Sequence, residues 1–150
     1  MIDKEYLNRH LQKRKELLNE LQQYEVMSGQ SQLRAIVMDG MPHGSSTEGD
    51  SAFYSVLEKV QTEEKIRNLQ KQIAQEYQDI NNIFEQLVYP MERKVMKMHY
   101  FQCISWNDIT ALEFKGRHDY YTCMDKYKSK VYRIHNSALR HLKEIQEEGK

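Results

Sequence analysis

Between Asp3 and Met27 the apolar positions recur at helical spacing. Leu7, Leu11, Leu18 and Leu21 follow one another at steps of four, seven and three, which keeps them on one helix face, with Arg14 interrupting the stripe. Asp3 is placed to cap the start and Ser28-Gly29 supplies a stop, so the spacing predicts a helix about 37 Å long. A second, longer pattern runs from about Ser51 to Tyr89, with Asp50 or Ser51 as its cap. Ile66, Leu69, Ile73, Ile80, Ile83 and Leu87 keep 3-4 spacing, and Glu76 stands in the one remaining slot. Phe53, Val56, Leu57 and Val60 continue the stripe toward the N-terminus, while Glu63, Glu64, Lys65, Arg67, Gln70, Lys71 and Gln72 fill the other faces. A stripe only a few residues wide per heptad needs cover from another helix. The first helix folded back as an antiparallel pair supplies it most simply; the same helix of a second chain is the alternative, and periodicity does not separate the two. Both stripes read as core packing rather than as a ligand site.

The segment between the two patterns is different in kind. Gly40, Pro42, Gly44, Ser45, Ser46 and Gly49 predict a turn-rich, mobile loop over residues 40–50. Just before it, the short apolar run Leu33 to Met38 fits either a strand or a last helical turn.

Tyr89-Pro90 breaks the long helix, because a residue before proline avoids helical backbone, and Pro90 suits the first turn of a new one. That helix, Pro90 to Phe101, puts Met91, Val95, Met98 and Phe101 on its inner side. Gln102, Cys103 and Ile104 form a short connection. Ser105-Trp106-Asn107-Asp108 then has the form of a capping box, after which Trp106, Ile109 and Leu112 are expected to point inward. Near the C-terminus Val131, Ile134, Ala138, Leu139 and Leu142 make an apolar stripe, with Lys130, Arg133, Asn136 and Arg140 on the outward side. A small helix, a turn, a capped helix and a later basic amphipathic helix compose a helix-turn-helix arrangement.

Composition narrows the class. A chain of 150 residues, 39% hydrophobic and 29% charged, makes one domain, or one domain with a helical appendage, that dissolves in water and still buries a core. Mean hydropathy is −0.84 and no apolar run approaches the roughly 20 residues needed to cross a bilayer, so no membrane association is expected. The first residues, MIDKEYLNRH, lack the apolar stretch of a secretory leader, which predicts a cytoplasmic protein. Two cysteines do not make a disulfide scaffold, and two prolines with six glycines argue against an all-β fold. The expected architecture is all-α: a long helical hairpin over residues 1–89, followed by a helix-turn-helix over residues 90–150.

The net charge of zero hides a division. Residues 1–89 sum to −4, residues 90–143 to +6, and residues 144–150 to −2. A basic segment of this length points to a localised surface for a polyanion.

At this point the residues reach a resemblance. Glu92-Arg93-Lys94-Val95-Met96, then Ile104-Ser105-Trp106-Asn107-Asp108-Ile109, then Val131 through Leu142 (VYRIHNSALRHL) resemble region four of bacterial sigma factors. The layout, with an N-terminal helical region, a polar loop from Met41 to Asp50 and this C-terminal module, is similar to small phage and prophage transcriptional regulators of the ArpU/RinA kind. The resemblance implies a sequence-specific DNA-binding regulator of phage or prophage genes, an activator, acting on double-stranded DNA in the bacterial host cytoplasm. It also implies contact with RNA polymerase, and the N-terminal helices are candidates for homo-oligomer formation. No segment resembling the promoter-melting sigma module is present, so a complete sigma factor is not expected.

Carried over by position, the resemblance makes Ser129, Lys130, Tyr132, Arg133 and Asn136 the candidate base-reading face of the recognition helix, with Lys126 and Lys128 toward phosphates at its entry. Ser105, Arg93, Lys94 and Arg140 are further phosphate candidates. The chain departs from the pattern in one respect: the family places about a dozen residues between the isoleucine after Ser-Trp and the valine of the last helix, whereas Ile109 and Val131 are 22 apart here. The extra piece, about Phe114 to Tyr127, is tyrosine-rich and basic. It is either a longer turn after Gly116 or an N-terminal extension of the recognition helix from about Asp119.

Other chemistry has weaker support. His99 with Cys103 and His118 with Cys123 lie at spacings a zinc ion accepts, but no Cys-x2-Cys pair exists, and ordinary histidines and buried thiols explain them. No nucleotide-binding or hydrolase signature occurs, so neither an enzyme nor a cofactor is expected. Two rival functions stay open: a terminase small subunit, which also joins a helix-turn-helix to coiled helices in DNA packaging, and a helical module that binds protein without DNA.

Overall fold

A computed structural model describes residues 1–38 and 48–150, with side chains over 1–29 and 52–150. The helices in chain order are α1 (Lys4–Met38), α2 (Glu48–Phe84), α3 (Pro90–Tyr100), α4 (Trp106–Phe114) and α5 (Met124–Glu148); among the described residues there is no strand. The all-α class and the N-terminal α1·α2 hairpin follow the apolar periodicity. None of the helices is long and apolar enough to cross a membrane among the described residues.

Several boundaries move. Asp3 caps α1, its carboxylate accepting from the Tyr6 amide at 2.8 Å. Ser28-Gly29 does not end the helix, which continues to Met38. A glycine stops a helix when it takes a left-handed conformation, and no described glycine has positive φ; inside a helix it costs only about 1 kcal/mol. The apolar run before the expected loop is therefore helical. Residues 48–50, assigned to the loop by composition, belong to α2, which starts ahead of the expected Asp50 or Ser51 cap. The rest of that loop, residues 39–47, lies outside the described residues.

The chain forms two compact units, residues 1–14 with 73–150, and residues 15–72. In the first, Leu7 and Leu11 of α1 pack with Ile80, Ile83, Phe84 and Leu87, Met96 and Tyr100 of α3, and Ala138 and Leu142 of α5. A second cluster joins Val95 and Met98 of α3, Ile109 and Phe114 of α4, Tyr120 of the following turn, and Tyr127 and Val131 of α5. Helix α3 thus serves the two clusters from different faces, and α5 serves them from successive turns of one face. Two polar residues that interrupt the apolar stripes meet here: Glu76 accepts from His10 Nδ1 at 2.9 Å and pairs with Lys13, and Arg14 Nε donates to His10 Nε2 at 2.9 Å.

In the second unit, α1 and α2 lie side by side. Lys65 reaches Glu20 at 2.8 Å and Glu16 at 3.2 Å, and the Tyr24 hydroxyl donates to Glu63 at 2.6 Å. Ile66 and Leu69 are buried. Phe53, Val56, Leu57 and Val60, read as a continuation of the core stripe, are exposed. So are Leu18 and Leu21.

Candidate nucleic-acid interface

Each short helix is set by a local signal. Tyr89 takes extended backbone (φ −85°, ψ 119°) ahead of Pro90, which opens α3. Cys103, at φ 56°, turns the chain between α3 and α4. Ser105 then caps α4: its Oγ accepts from the Asp108 amide at 3.2 Å and donates to the Asp108 carboxylate at 2.9 Å. The buried arc of α4 passes through Ile109, Thr110 and Phe114, with Trp106 half-buried at its edge. That arc excludes Leu112, which is 66% exposed rather than inward as its spacing from Ile109 indicates.

Residues 115–123 form turns, and α5 begins at Met124, so of the two options for the extra residues the longer turn is the one realised. It is pinned from inside. Tyr120 is buried, the Tyr127 hydroxyl donates to Asp119, and Phe114 stacks on Tyr127 at 5.0 Å between ring centres. Hydrogen bonding to Tyr127 holds the Asp119 carboxyl below its usual range, and the same bond raises the phenol.

On α5 the buried positions Tyr127, Val131, His135, Ala138 and Leu142 recur at steps of four, four, three and four. Lys126, Ser129, Arg133, Asn136 and Arg140 recur at three, four, three and four on the opposite side, and all five are exposed. Lys130 and Tyr132 are exposed at the margins of this face: the Lys130 ammonium lies 5.3 Å from the centre of the Phe114 ring, and the Tyr132 ring 5.5 Å from Trp106. Lys128 is half-buried toward the core side. Between residues 126 and 143 the helix carries six Lys and Arg and no acid. The side chains of Arg133 and Asn136 meet no hydrogen-bonding or charged partner among the described residues. Farther along, Arg140 Nε stands 4.0 Å from Glu144.

The remaining candidates are engaged within the fold. Lys94 pairs with Glu113 at 2.6 Å, half-buried Arg93 donates to the Leu87 carbonyl at 3.0 Å, and Ser105 is occupied as the cap. Sequence reasoning passed over Lys143, which extends the basic face by another step of three and reaches Glu147 at 3.8 Å. It also passed over exposed Lys115 and Arg117 in the turn.

Behind the exposed face, a polar-aromatic layer fixes the rotation of α5. The Tyr100 hydroxyl meets His135 Nε2 at 2.9 Å, His99 stacks on Trp106 at 3.8 Å, and Trp106 lies 4.6 Å from His135. Burial pushes Tyr100 up to about 12. Burial first, then the nearby charges of His99 and Lys4, push His135 down to about 4. His135 is accordingly neutral at pH 7, and its Nε2 shares one hydrogen bond with the phenol. Buried Glu92 of α3 accepts from His141 Nδ1 of α5 at 2.9 Å, joining the same two helices farther along. Cys103 and Cys123 form no disulfide, and among the described residues no group of three or more His, Cys, Asp or Glu is placed to hold a metal ion.

Comparison of the chain with models of known families, with curated proteins and with solved structures gives no match.

Proposed function

We propose that the protein is a sequence-specific DNA-binding transcriptional regulator that lays α5 in the major groove through a sigma-region-four-like helix-turn-helix. The observation that carries this reading is the exposed face of Lys126, Ser129, Arg133, Asn136 and Arg140, without an intervening acid, on a helix held by a buried core. The groove admits a helix of this kind. Arg133 has the fork to grip guanine O6 and N7, and Asn136 the amide to pair with adenine N6 and N7. Lys126 and Lys130 supply sequence-independent attraction to phosphates. The likeness of the Glu92–Met96, Ile104–Ile109 and Val131–Leu142 segments to region four makes activation of phage or prophage genes, with contact to RNA polymerase, the biological setting of the proposal.

Selection of a preferred duplex from a random pool, followed by titration of that duplex and a scrambled one, tests the reading. Arg133→Ala is expected to weaken the preferred duplex by about 1–3 kcal/mol and to leave the scrambled one nearly unchanged. Lys126→Ala is expected to weaken both alike. If no duplex binds with an affinity that falls as salt rises, the reading is overturned in favour of a module that binds protein.

A further inference from the structure

We propose that residues 15–72 form a homodimer in which the α1·α2 hairpins of two copies pack face to face as a four-helix bundle. The starting observation is an imbalance. Among the described residues of this unit, Ile66 and Leu69 are the buried apolar side chains, whereas Phe53, Val56, Leu57 and Val60 on α2 and Leu18 and Leu21 on α1 remain open to water. Phe53 is 64% exposed, Val56 61% and Val60 53%. These are not scattered surface residues. Phe53, Val56, Leu57 and Val60 keep the 3-4 spacing of a single helix face, and Leu18 and Leu21 are three apart on the neighbouring helix. A two-helix layer has a seam but no interior, and units this small are commonly completed by oligomerisation.

The dimensions select a second copy as the occupant. Within the unit, residues 15–38 of α1 and 48–72 of α2 each offer about 24 positions, or about 36 Å of helix. Two helices side by side are about 20 Å wide, so the hairpin presents about 700 Å² on one face. A stable protein interface needs about 800 Å² per partner, so one copy of the hairpin matches the surface that another must cover. An isologous pairing also sets apolar stripe against apolar stripe without any further chain.

Sedimentation of the full chain at micromolar concentration tests the proposal. The wild type is expected at twice 18.0 kDa. Val56→Glu with Val60→Glu is expected at 18.0 kDa with its far-ultraviolet helical signal retained, because both side chains are exposed within one copy. Val56→Ser with Val60→Ser, a milder change, is measured in parallel, so that loss of folding in the glutamate variant does not decide the result; it is expected to weaken association at least tenfold. Leu112→Glu, an exposed change in the other unit, is expected to leave the dimer intact. A monomeric wild type, or a serine variant that associates as tightly as the wild type, overturns the proposal.

Discussion

His10 is fully buried between two charged side chains, and its chemistry allows it to serve both in one form. Arg14 Nε can only donate, so His10 Nε2 must accept, which leaves the proton on Nδ1 to be given to Glu76. A proton on Nε2 would set two donors against each other. Burial, opposed by Glu76 and assisted by Arg14, holds His10 below its usual range. His135 is the second such residue, at about 4 against an ordinary 6.5. A histidine with a depressed folded-state value takes up its proton on unfolding between the two values, so stability rises with pH across that window and is lost on acidification through it. Thermal denaturation is therefore expected to show falling stability from pH 6.5 to 4, on the order of 1.4 kcal/mol per unit at most from His135. Glu76, Glu85 and Asp119, whose carboxyls are held low by their partners, add losses as pH falls below their ordinary values of 4.5, 4.5 and 3.8, so the two glutamates overlap the acid end of that window. In His135→Gln the slope between pH 6.5 and 4 is expected to flatten; an unchanged slope would show that His135 is not the titrating group. Tyr100→Phe leaves His135 Nε2 without its hydrogen-bond partner in the core and is expected to cost about 1–3 kcal/mol in urea denaturation at pH 7.

At the level of elements, α4 depends on its cap. It is nine residues long, too short to form on propensity, so the Ser105–Asp108 exchange and the burial of Ile109 and Phe114 decide it. Ser105→Ala is expected to lower stability by about 1 kcal/mol, read by urea denaturation, with the loss concentrated in amide protection of α4. The serine cap of α4 was legible in the sequence because it is a local signal of fixed spacing, although Asp108 takes its hydrogen bond from the Ser105 hydroxyl. So was the rotation of α5, since Val131, Ala138 and Leu142, at steps of seven and four, keep to one buried face of the helix. What was not legible depended on a neighbour. Leu112 has the right distance from Ile109 for the core, yet the arc that α3 and α5 cover runs through Thr110 and Phe114. Gly29 looks like a stop until its backbone is seen to stay in the helical region. Phe53 to Val60 has the spacing of a core stripe, and spacing states that a face is apolar without stating what covers it. In the candidate interface, Lys94 and Lys126 look alike in sequence; only the fold sets Glu113 beside the first and leaves the second on an open face.

Across the whole molecule, the charges sum to zero and the isoelectric point is near 7.0, so attraction to a polyanion must arise from arrangement. The arrangement is graded along α5. Six cations and no acid occupy residues 126–143, and Glu144, Glu147 and Glu148 follow in the last turns, where Glu144 approaches Arg140 and Glu147 approaches Lys143. If α5 lies in a groove, these acids face the same phosphates that Arg140 and Lys143 approach, and they oppose binding at that end. Exposed i,i+4 pairs contribute only a few tenths of a kcal/mol to stability. Glu144→Gln with Glu147→Gln is therefore expected to leave thermal stability nearly unchanged while raising affinity for any duplex several-fold, with the gain shrinking as salt rises because it is purely electrostatic. Lys126→Ala with Lys130→Ala is expected to act in the opposite direction, reducing the slope of log affinity against log salt by about 2. Fluorescence titrations across a salt series measure both. Equal slopes in the wild type and the lysine variant would place the DNA contact away from the entry of α5, and an unchanged affinity in the glutamine variant would place it away from the last turns.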